Sequence, residues 1–181
     1  MGLIIVVSGL PRSGTSLMMR MLEAGGIELV TDGVRQADVD NPSGYFELER
    51  VKSLARDGAW LGEASGKAIK VISALLKHLP RAHHYKVLFM RRDLDEVLAS
   101  QARMLEHRGT ARDPEGDDAL RREFTAHLAA TESLLRDDAA FELLDVRYAA
   151  LLDTPDVELA RITAFLDADL DRAAMRACIA R

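Results

Sequence analysis

Two glycines and an arginine near the start of the chain have the types and spacing of an anion-binding loop. In "VVSGLPRSGTS", Gly9 and Gly14 bracket a short loop that contains Arg12. An apolar run precedes this loop and a helical pattern follows it. Backbone N–H groups in such a loop point inward, and the N-terminus of the next helix adds partial positive charge. Arg12 adds a forked cation, so the stretch predicts a site for a phosphate-like anion.

The glycine spacing matches the G-x-x-x-x-G-K-[ST] loop of nucleotide hydrolases, but one residue departs from that pattern. Thr15 stands where those proteins have lysine. Their lysine reaches the β- and γ-phosphates, and the next Ser or Thr binds magnesium. A threonine cannot supply the missing positive charge, so Arg12 is the predicted cation of this loop.

A second candidate anion site follows a later apolar run, in "VLFMRRDLDEVLASQ". Arg92 comes at the carboxyl end of a predicted strand, and Ser100 lies inside the predicted helix that follows. A guanidinium and a hydroxyl can share the oxygens of a phosphate dianion. Taken alone, the same two residues are equally consistent with a surface ion pair and a helix serine.

Together the two motifs resemble the sulfotransferases that use 3′-phosphoadenylyl sulfate (PAPS). The run from Pro11 to Ser16 resembles that family's P-[KR]-S-G-[TS]-[TS] loop. The run from Arg92 to Ser100 is similar to its R-[ND]-P-x-[DE]-V-x-x-S signature, although Leu94 replaces the usual proline. Two softer blocks, "KAIKVISALLKHLP" and "FELLDVRYAALLDTPDVELARITAFLDADLD", extend the similarity over nearly the whole chain.

This resemblance implies an activity, a cofactor and a set of site residues. The activity is transfer of a sulfuryl group from PAPS to a hydroxyl or amine, which leaves adenosine 3′,5′-bisphosphate (PAP). The loop would hold the 5′-phosphosulfate, with Arg12 on the bridging oxygen, and Lys70 matches the family lysine that contacts the sulfuryl oxygens or leaving group. The implied cofactor-binding residues are Gly9, Pro11, Arg12, Ser13, Gly14, Thr15, Ser16, Arg92 and Ser100.

The general base is the point at which the chain departs from one branch of the family. Cytosolic members have a histidine two residues after the lysine, whereas this chain has Ile72 there. Other branches use a glutamate after the first helix, which makes Glu47 the candidate, with Asp40 and Asp38 behind it. Glu47 is equally consistent with stabilising the first turn of a helix. Without a base, the chain would transfer poorly or need a partner.

The sequence does not specify the acceptor, which we expect to be a small molecule. Four side chains are candidates for lining its pocket, and each is equally consistent with packing: Tyr45, Phe46, Trp60 and Met104. The five histidines and Cys178 lack the spacing of metal ligands, so no metal site is predicted.

Two other functions stay open at this point. A P-loop kinase or nucleoside triphosphatase would use the glycine-bounded loop, with Asp145 at the end of an apolar strand as its magnesium ligand. The absent loop lysine and the Arg92–Ser100 pair count against this hypothesis. A non-catalytic nucleotide-binding protein is the other possibility, because the usual histidine base is missing.

The elements that must position these residues form an α/β pattern. Short apolar runs predict buried parallel strands, and amphipathic stretches between them predict helices. We therefore expect one domain over 1–181, with a parallel sheet flanked by helices on both faces in a three-layer P-loop-like architecture. The predicted strands are 3–7, 68–72, 87–90 and 141–146, and the predicted helices are 16–24, 93–107, 117–136, 157–166 and 172–179.

Composition narrows the classes of partner. The 181 residues carry a net charge of -5, which disfavours a general binder of nucleic acid or anionic membranes. The first ten residues are apolar but lack the basic flank of a signal peptide. One cysteine suits a reducing compartment. We expect a cytoplasmic protein without nucleic-acid or membrane partners, and no motif indicates an oligomeric state.

Overall fold

A four-stranded parallel sheet forms the centre of the molecule. A computed structural model describes residues 2–34, 41, 44–107, 109 and 114–179. The sheet has the order β2-β1-β3-β4, and each neighbouring pair of strands is parallel. The strands are β1 (Leu3–Gly9), β2 (Ala68–Lys70), β3 (His84–Arg91) and β4 (Phe141–Arg147).

Helices connect the strands and cover both faces of the sheet. The α-helices are α1 (Thr15–Ala24), α2 (Leu94–His107), α3 (Pro114–Asp137), α4 (Tyr148–Asp153), α5 (Pro155–Leu166) and α6 (Arg172–Ala177). Three 3₁₀ helices cover Glu49–Ser53, Ala59–Ala64 and Ser73–His78. No helix among the described residues is both long and apolar enough to cross a membrane.

Alternate residues of the strands enter two separate apolar cores. Ile4 and Val6 of β1 pack with the 3₁₀ segments and Leu135 of α3. Ile5 and Val7 point to the opposite face and pack with α1, α4, α5 and α6. Because successive strand side chains point to opposite faces, one apolar run supplies both cores. This arrangement confirms the predicted α/β architecture with helices on both faces.

The strand order brings the candidate site residues to one edge. From β1 the chain crosses to β2 on one side of the sheet, and the later strands are added on the other side. In open α/β sheets ligands bind at such a reversal, beyond the carboxyl ends of the strands. Val7 is paired with Lys70, and Gly9 is paired with Met90. Lys70, the glycine-bounded loop and Arg92 therefore meet at the same edge.

The predicted elements differ from the observed ones mainly at their ends. β2 stops at Lys70 rather than at residue 72, because the chain turns into the Ser73–His78 3₁₀ helix, where the Leu75 N–H bonds the Ile72 carbonyl at 2.9 Å. β3 is longer than expected, and α3 begins at Pro114 rather than 117. Helix α4 and the three 3₁₀ helices were not predicted, since each is too short to show a clear periodicity.

Candidate active site

A cavity of about 780 Å³ opens at this edge of the sheet. Its volume lies within the range of small-ligand sites. The loop after β1, the segment after β2, the residue after β3 and one face of α2 all contribute to its wall. The wall includes these sequence-predicted residues: Gly9, Pro11, Arg12, Gly14, Thr15, Ser16, Glu47, Lys70, Arg92 and Ser100. Two distant motifs of the sequence thus share one cavity.

Left-handed backbone gives the loop its tight shape. Gly14 has φ 99° at the start of α1, and a Cβ there would lie 2.5 Å from the Tyr148 ring. Only glycine meets both demands without strain. Arg12 also has positive φ, at 67°, which is uncommon for a residue with a side chain and costs backbone energy.

Ser13 is the predicted loop residue whose side chain faces the protein rather than the cavity. It is 1% exposed, and its hydroxyl donates a hydrogen bond to the Leu10 carbonyl at 2.7 Å. Its backbone N–H points to the same carbonyl at 3.2 Å. Ser13 therefore stabilises the loop's own turn, a role that the sequence motif does not distinguish from ligand contact.

Direct hydrogen bonds join the two anion-binding motifs. The Arg12 Nε donates to the Ser100 hydroxyl of α2 at 3.0 Å. An Arg92 Nη1 donates to the Arg12 carbonyl at 3.1 Å. Both guanidinium groups and the hydroxyl line the cavity, so it can offer charge-assisted donors to an anionic ligand from two motifs at once.

Two further contacts fix Arg92. Its Nε donates to Glu96 at 2.7 Å, and its guanidinium lies 4.5 Å from the centre of the Tyr148 ring. The Asp93 carboxylate caps α2 by accepting N–H bonds from Asp95 at 2.8 Å and Glu96 at 3.3 Å. Asp93 therefore caps the helix, while the Glu96 side chain holds Arg92 instead of returning to the helix start.

Lys70 is buried where β2 ends, with only 9% of its side chain exposed. Its Nζ donates to the Tyr45 carbonyl at 2.8 Å and to the Ser16 hydroxyl at 3.1 Å. The same atom lies 4.0 Å from an oxygen of Glu47, which is itself 25% exposed. These contacts place an ammonium and a carboxylate side by side in the cavity wall.

Asp32 fixes the segment that carries Glu47. Its N–H donates to the Glu47 carbonyl at 3.3 Å, and its carboxylate accepts the Glu49 N–H at 2.5 Å. The hydrogen bond from the Glu49 N–H, with a further one from the Val34 N–H, lowers the pKa of the Asp32 carboxyl. Phe46, which directly precedes Glu47, has a left-handed backbone conformation with φ 52°. The alternative bases Asp38 and Asp40 lie outside the described residues.

The Ser16 hydroxyl occupies the sequence position that binds magnesium in nucleotide hydrolases. It accepts hydrogen bonds from Lys70 at 3.1 Å and from the Asn41 amide at 2.9 Å. A hydroxyl oxygen has two lone pairs, and two N–H donors occupy both. Binding a magnesium ion here would require breaking one of these bonds.

Asp145 is engaged elsewhere and does not line the cavity. Its carboxylate pairs with Arg91 at 2.6 Å and lies 3.7 Å from Arg136. A magnesium ligand would need a carboxylate directed at the anion, so this geometry does not suit the kinase hypothesis. Across the described part of the chain, no three His, Cys, Asp or Glu side chains are grouped as a metal site would require.

Some wall residues were not predicted, and some predicted ones lie elsewhere. Tyr148 follows β4 directly, so the rule that ligands bind at strand ends could have found it. Of the four candidates for lining the acceptor pocket, Tyr45 and Met104 contribute to the cavity wall. Phe46 and Trp60 do not, because Phe46 packs with the α1 core and Trp60 lies in the opposite core.

The cavity is electropositive although the whole chain carries net charge -5. Among the described residues, its wall contains four cationic side chains, from Arg12, Lys52, Lys70 and Arg92, and one carboxylate, that of Glu47. A concentration of like charge in a concave, partly buried site raises the local concentration of oppositely charged ligands. The arrangement suits a ligand with more than one negative group.

Comparison with known proteins gives a family and several solved structures that match the chain. The sequence profile of the sulfotransferase family matches residues 34–172, which include Glu47, Lys70, Arg92 and Ser100 but begin after the glycine-bounded loop. A search of curated proteins gives no match. Among solved structures, the chain is similar to an unliganded sugar kinase from Janibacter sp. HTCC2649, with 14% identity and TM-score 0.46 over 96% of this chain and 98% of that one.

The family match covers more than half of the chain, and it includes the strand-end arginine, the helix serine and the buried lysine of the cavity. The chain belongs to the sulfotransferase family and is a transferase by that membership.

Proposed function

We propose that this protein transfers a sulfuryl group from PAPS to a hydroxyl or amine of a small-molecule acceptor. The observation that carries the proposal is the 3.0 Å hydrogen bond from Arg12 to Ser100. It unites the loop and the strand-end motif in one cavity, which also includes Arg92. A ligand with phosphate groups at both the 5′ and 3′ positions of adenosine could use both motifs.

The residues of the cavity fit such a ligand. Arginine guanidinium groups and hydroxyls are the donors that phosphate oxygens prefer. Bound PAPS supplies a sulfuryl group activated by its bond to the 5′-phosphate. Arg12 and the loop N–H groups would hold that end of the ligand, while Arg92 and Ser100 would hold its 3′-phosphate.

Catalysis by these residues depends on position and charge. Negative charge grows on the leaving oxygen during group transfer, and fixed cations stabilise it without reorganising. Arg12 is fixed by Ser100, and Lys70 is fixed by the Tyr45 carbonyl and the Ser16 hydroxyl. Lys70 is therefore already oriented to stabilise the sulfuryl oxygens or the leaving group.

Glu47 is the proposed general base. In the net reaction the acceptor atom gains the sulfuryl group and loses its proton, and Glu47 takes up that proton. Glu47 lines the cavity 4.0 Å from Lys70, and Asp32 bonds the Glu47 carbonyl and the Glu49 N–H. This placement supports catalysis rather than nucleotide binding alone.

We also propose a cytoplasmic location, which the single cysteine supports.

Calorimetric titration tests the donor assignment. We expect adenosine 3′,5′-bisphosphate to bind equally well in EDTA and in magnesium, and ATP with magnesium to bind far more weakly. Tighter binding of ATP with magnesium would contradict the proposal and favour a kinase.

A transfer assay with ³⁵S-labelled PAPS tests the base. Removal of a general base typically lowers the rate by about 10²-fold or more. We expect that loss in kcat for Glu47→Gln, with unchanged affinity for the bisphosphate. Glu63→Gln is the matched control, because Glu63 is exposed and pairs with Arg50 outside the cavity. Equal activity of both variants would exclude Glu47 as the base.

A further inference from the structure

Five aliphatic side chains line the cavity on the segments that follow Glu47 and Lys70 and on α2. Neither anion-binding motif includes these side chains, and the transfer chemistry proposed above does not use them. They belong to three separate parts of the chain: Leu48, Val51, Ile72, Leu75 and Met104. A nucleotide donor needs polar partners for its phosphates, so this wall points to the second substrate.

Two tight turns place four of these side chains as aligned pairs. The Val51 N–H donates to the Leu48 carbonyl at 3.0 Å, and the Leu75 N–H donates to the Ile72 carbonyl at 2.9 Å. Residues three apart in a 3₁₀ turn lie one above the other. Leu48 and Val51 follow the candidate base, while Ile72 and Leu75 follow the buried lysine. Each pair therefore begins within two residues of a proposed catalytic group.

The fifth side chain connects this wall to the donor site. Met104 lies one helical turn beyond Ser100 on α2, so the two side chains share a face of that helix. The flexible thioether of methionine adapts its shape to apolar ligands. The aliphatic wall is therefore continuous with the site proposed for the 3′-phosphate.

Ile72 gives the wall an apolar surface that a ligand could cover. It is 45% exposed, although it lines the cavity. A single exposed isoleucine is common on protein surfaces. This one lies beside four other aliphatic side chains in a concave site, an arrangement typical of a pocket for an apolar ligand.

The same wall disfavours an amine acceptor. Aliphatic amines are protonated at neutral pH, and an ammonium group has no lone pair with which to attack. Placing the charged ammonium group against aliphatic side chains would also remove its hydration shell, which is strongly unfavourable in free energy. A hydroxyl is uncharged and loses less hydration.

A sugar acceptor is disfavoured for a related reason. Each hydroxyl of a sugar must exchange water for a protein partner, or its burial is unfavourable. Among the described wall residues outside the two anion-binding motifs, the polar side chains are those of Asn41, Tyr45, Lys52, Gln101 and Tyr148, besides Glu47 and Lys70. The aliphatic residues offer no partners to several hydroxyls at once.

We infer that the acceptor is an apolar alcohol or phenol, with one hydroxyl directed at Glu47 and Lys70 and a hydrocarbon body against the aliphatic wall. This inference rests on the proposed function. The acceptor oxygen forms its bond to sulfur, the bond from sulfur to the 5′-phosphate oxygen breaks with its electron pair leaving on that oxygen, and Glu47 takes the hydroxyl proton.

The test compares acceptors with matched carbon skeletons. The full-length protein is assayed with PAPS and 2-naphthol, 1-hexanol, hexylamine or glucose, and bisphosphate affinity is measured separately. We expect 2-naphthol and 1-hexanol to be sulfated. Turnover of hexylamine and glucose should be at least about tenfold lower than that of the alcohols. The inference about the acceptor would be overturned, and the donor assignment would stand, if the protein preferred hexylamine or glucose. The same conclusion would follow if it bound the bisphosphate but sulfated neither alcohol. Failure to bind the bisphosphate would instead overturn the proposed function beneath it.

A surface variant links the result to this wall. We expect Ile72→Ser to raise the KM for 2-naphthol, and its Kd in the bisphosphate complex, about tenfold because apolar contact is lost. Ile72→Val should recover most of the loss. The control is Leu152→Ser, because Leu152 is similarly exposed at 47% but lies outside the cavity. Unchanged KM and Kd in Ile72→Ser would overturn the inference.

Discussion

The Nε of Arg12 donates a 3.0 Å hydrogen bond to the hydroxyl of Ser100, although 88 residues separate them in the chain. Arg12 lies in a left-handed position of the loop after β1, and Ser100 is buried on α2. The bond fixes the orientation of a long, flexible cation before any ligand arrives. Such preorganisation reduces the ordering cost of binding and of charge stabilisation.

Loss of this hydroxyl should weaken donor binding. In Ser100→Ala, Arg12 loses its fixed orientation and the 3′-phosphate loses a proposed donor. Hydrogen bonds to charged groups contribute about 1.5–3 kcal/mol, which corresponds to at least about a tenfold rise in Kd. Calorimetry with the bisphosphate measures this change. Ser133→Ala removes an exposed helix hydroxyl that bonds Asp137, and it should leave Kd unchanged.

Replacement of the buried lysine should separate chemistry from binding. Lys70→Met keeps the length of the side chain but removes its charge. We expect kcat to fall about 10²-fold, because a preorganised cation is lost, while bisphosphate affinity changes much less. Lys67→Met is the control, since Lys67 pairs with Glu28 outside the cavity. A kcat for Lys70→Met equal to that of the control would exclude an electrostatic role.

A methyl group at the start of α1 should damage both stability and binding. Gly14→Ala would place Cβ 2.5 Å from Tyr148 and force alanine into a left-handed conformation. Strain of this kind costs about 1–3 kcal/mol, so thermal unfolding should show Tm lower by several degrees. Bisphosphate Kd should also rise, because the loop must shift. Gly62→Ala is the control, since a Cβ there meets nothing within 4 Å. Equal Tm values for the two variants would contradict the proposed loop geometry.

The sequence predicts the sheet and much of the cavity because both depend on local patterns. Continuous apolar runs predict buried strands, and Arg92 and Lys70 come at the carboxyl ends of such runs. Parallel strands place those ends at one edge, so distant residues can be expected to meet. The spacing of Gly9 and Gly14 predicts the loop between β1 and α1 in the same way.

Features that depend on packing were not predictable. Nothing in the sequence around Ser13 shows that its hydroxyl would bond the Leu10 carbonyl, since the motif treats all its hydroxyls alike. Trp60 and Met104 have similar apolar character, yet Trp60 enters a core and Met104 enters the cavity. The contact between Lys70 and the Tyr45 carbonyl depends on an irregular segment without periodicity.

The central claim is that two motifs hold the two phosphates of one ligand. Its most direct test is the ratio of Kd values for 5′-AMP and adenosine 3′,5′-bisphosphate, measured by calorimetry in the wild type and in Arg92→Ala. The wild type should prefer the bisphosphate strongly, and Arg92→Ala should reduce that preference at least about tenfold, because 5′-AMP lacks the group assigned to Arg92. An unchanged ratio, with both ligands weakened equally or not at all, would contradict the account.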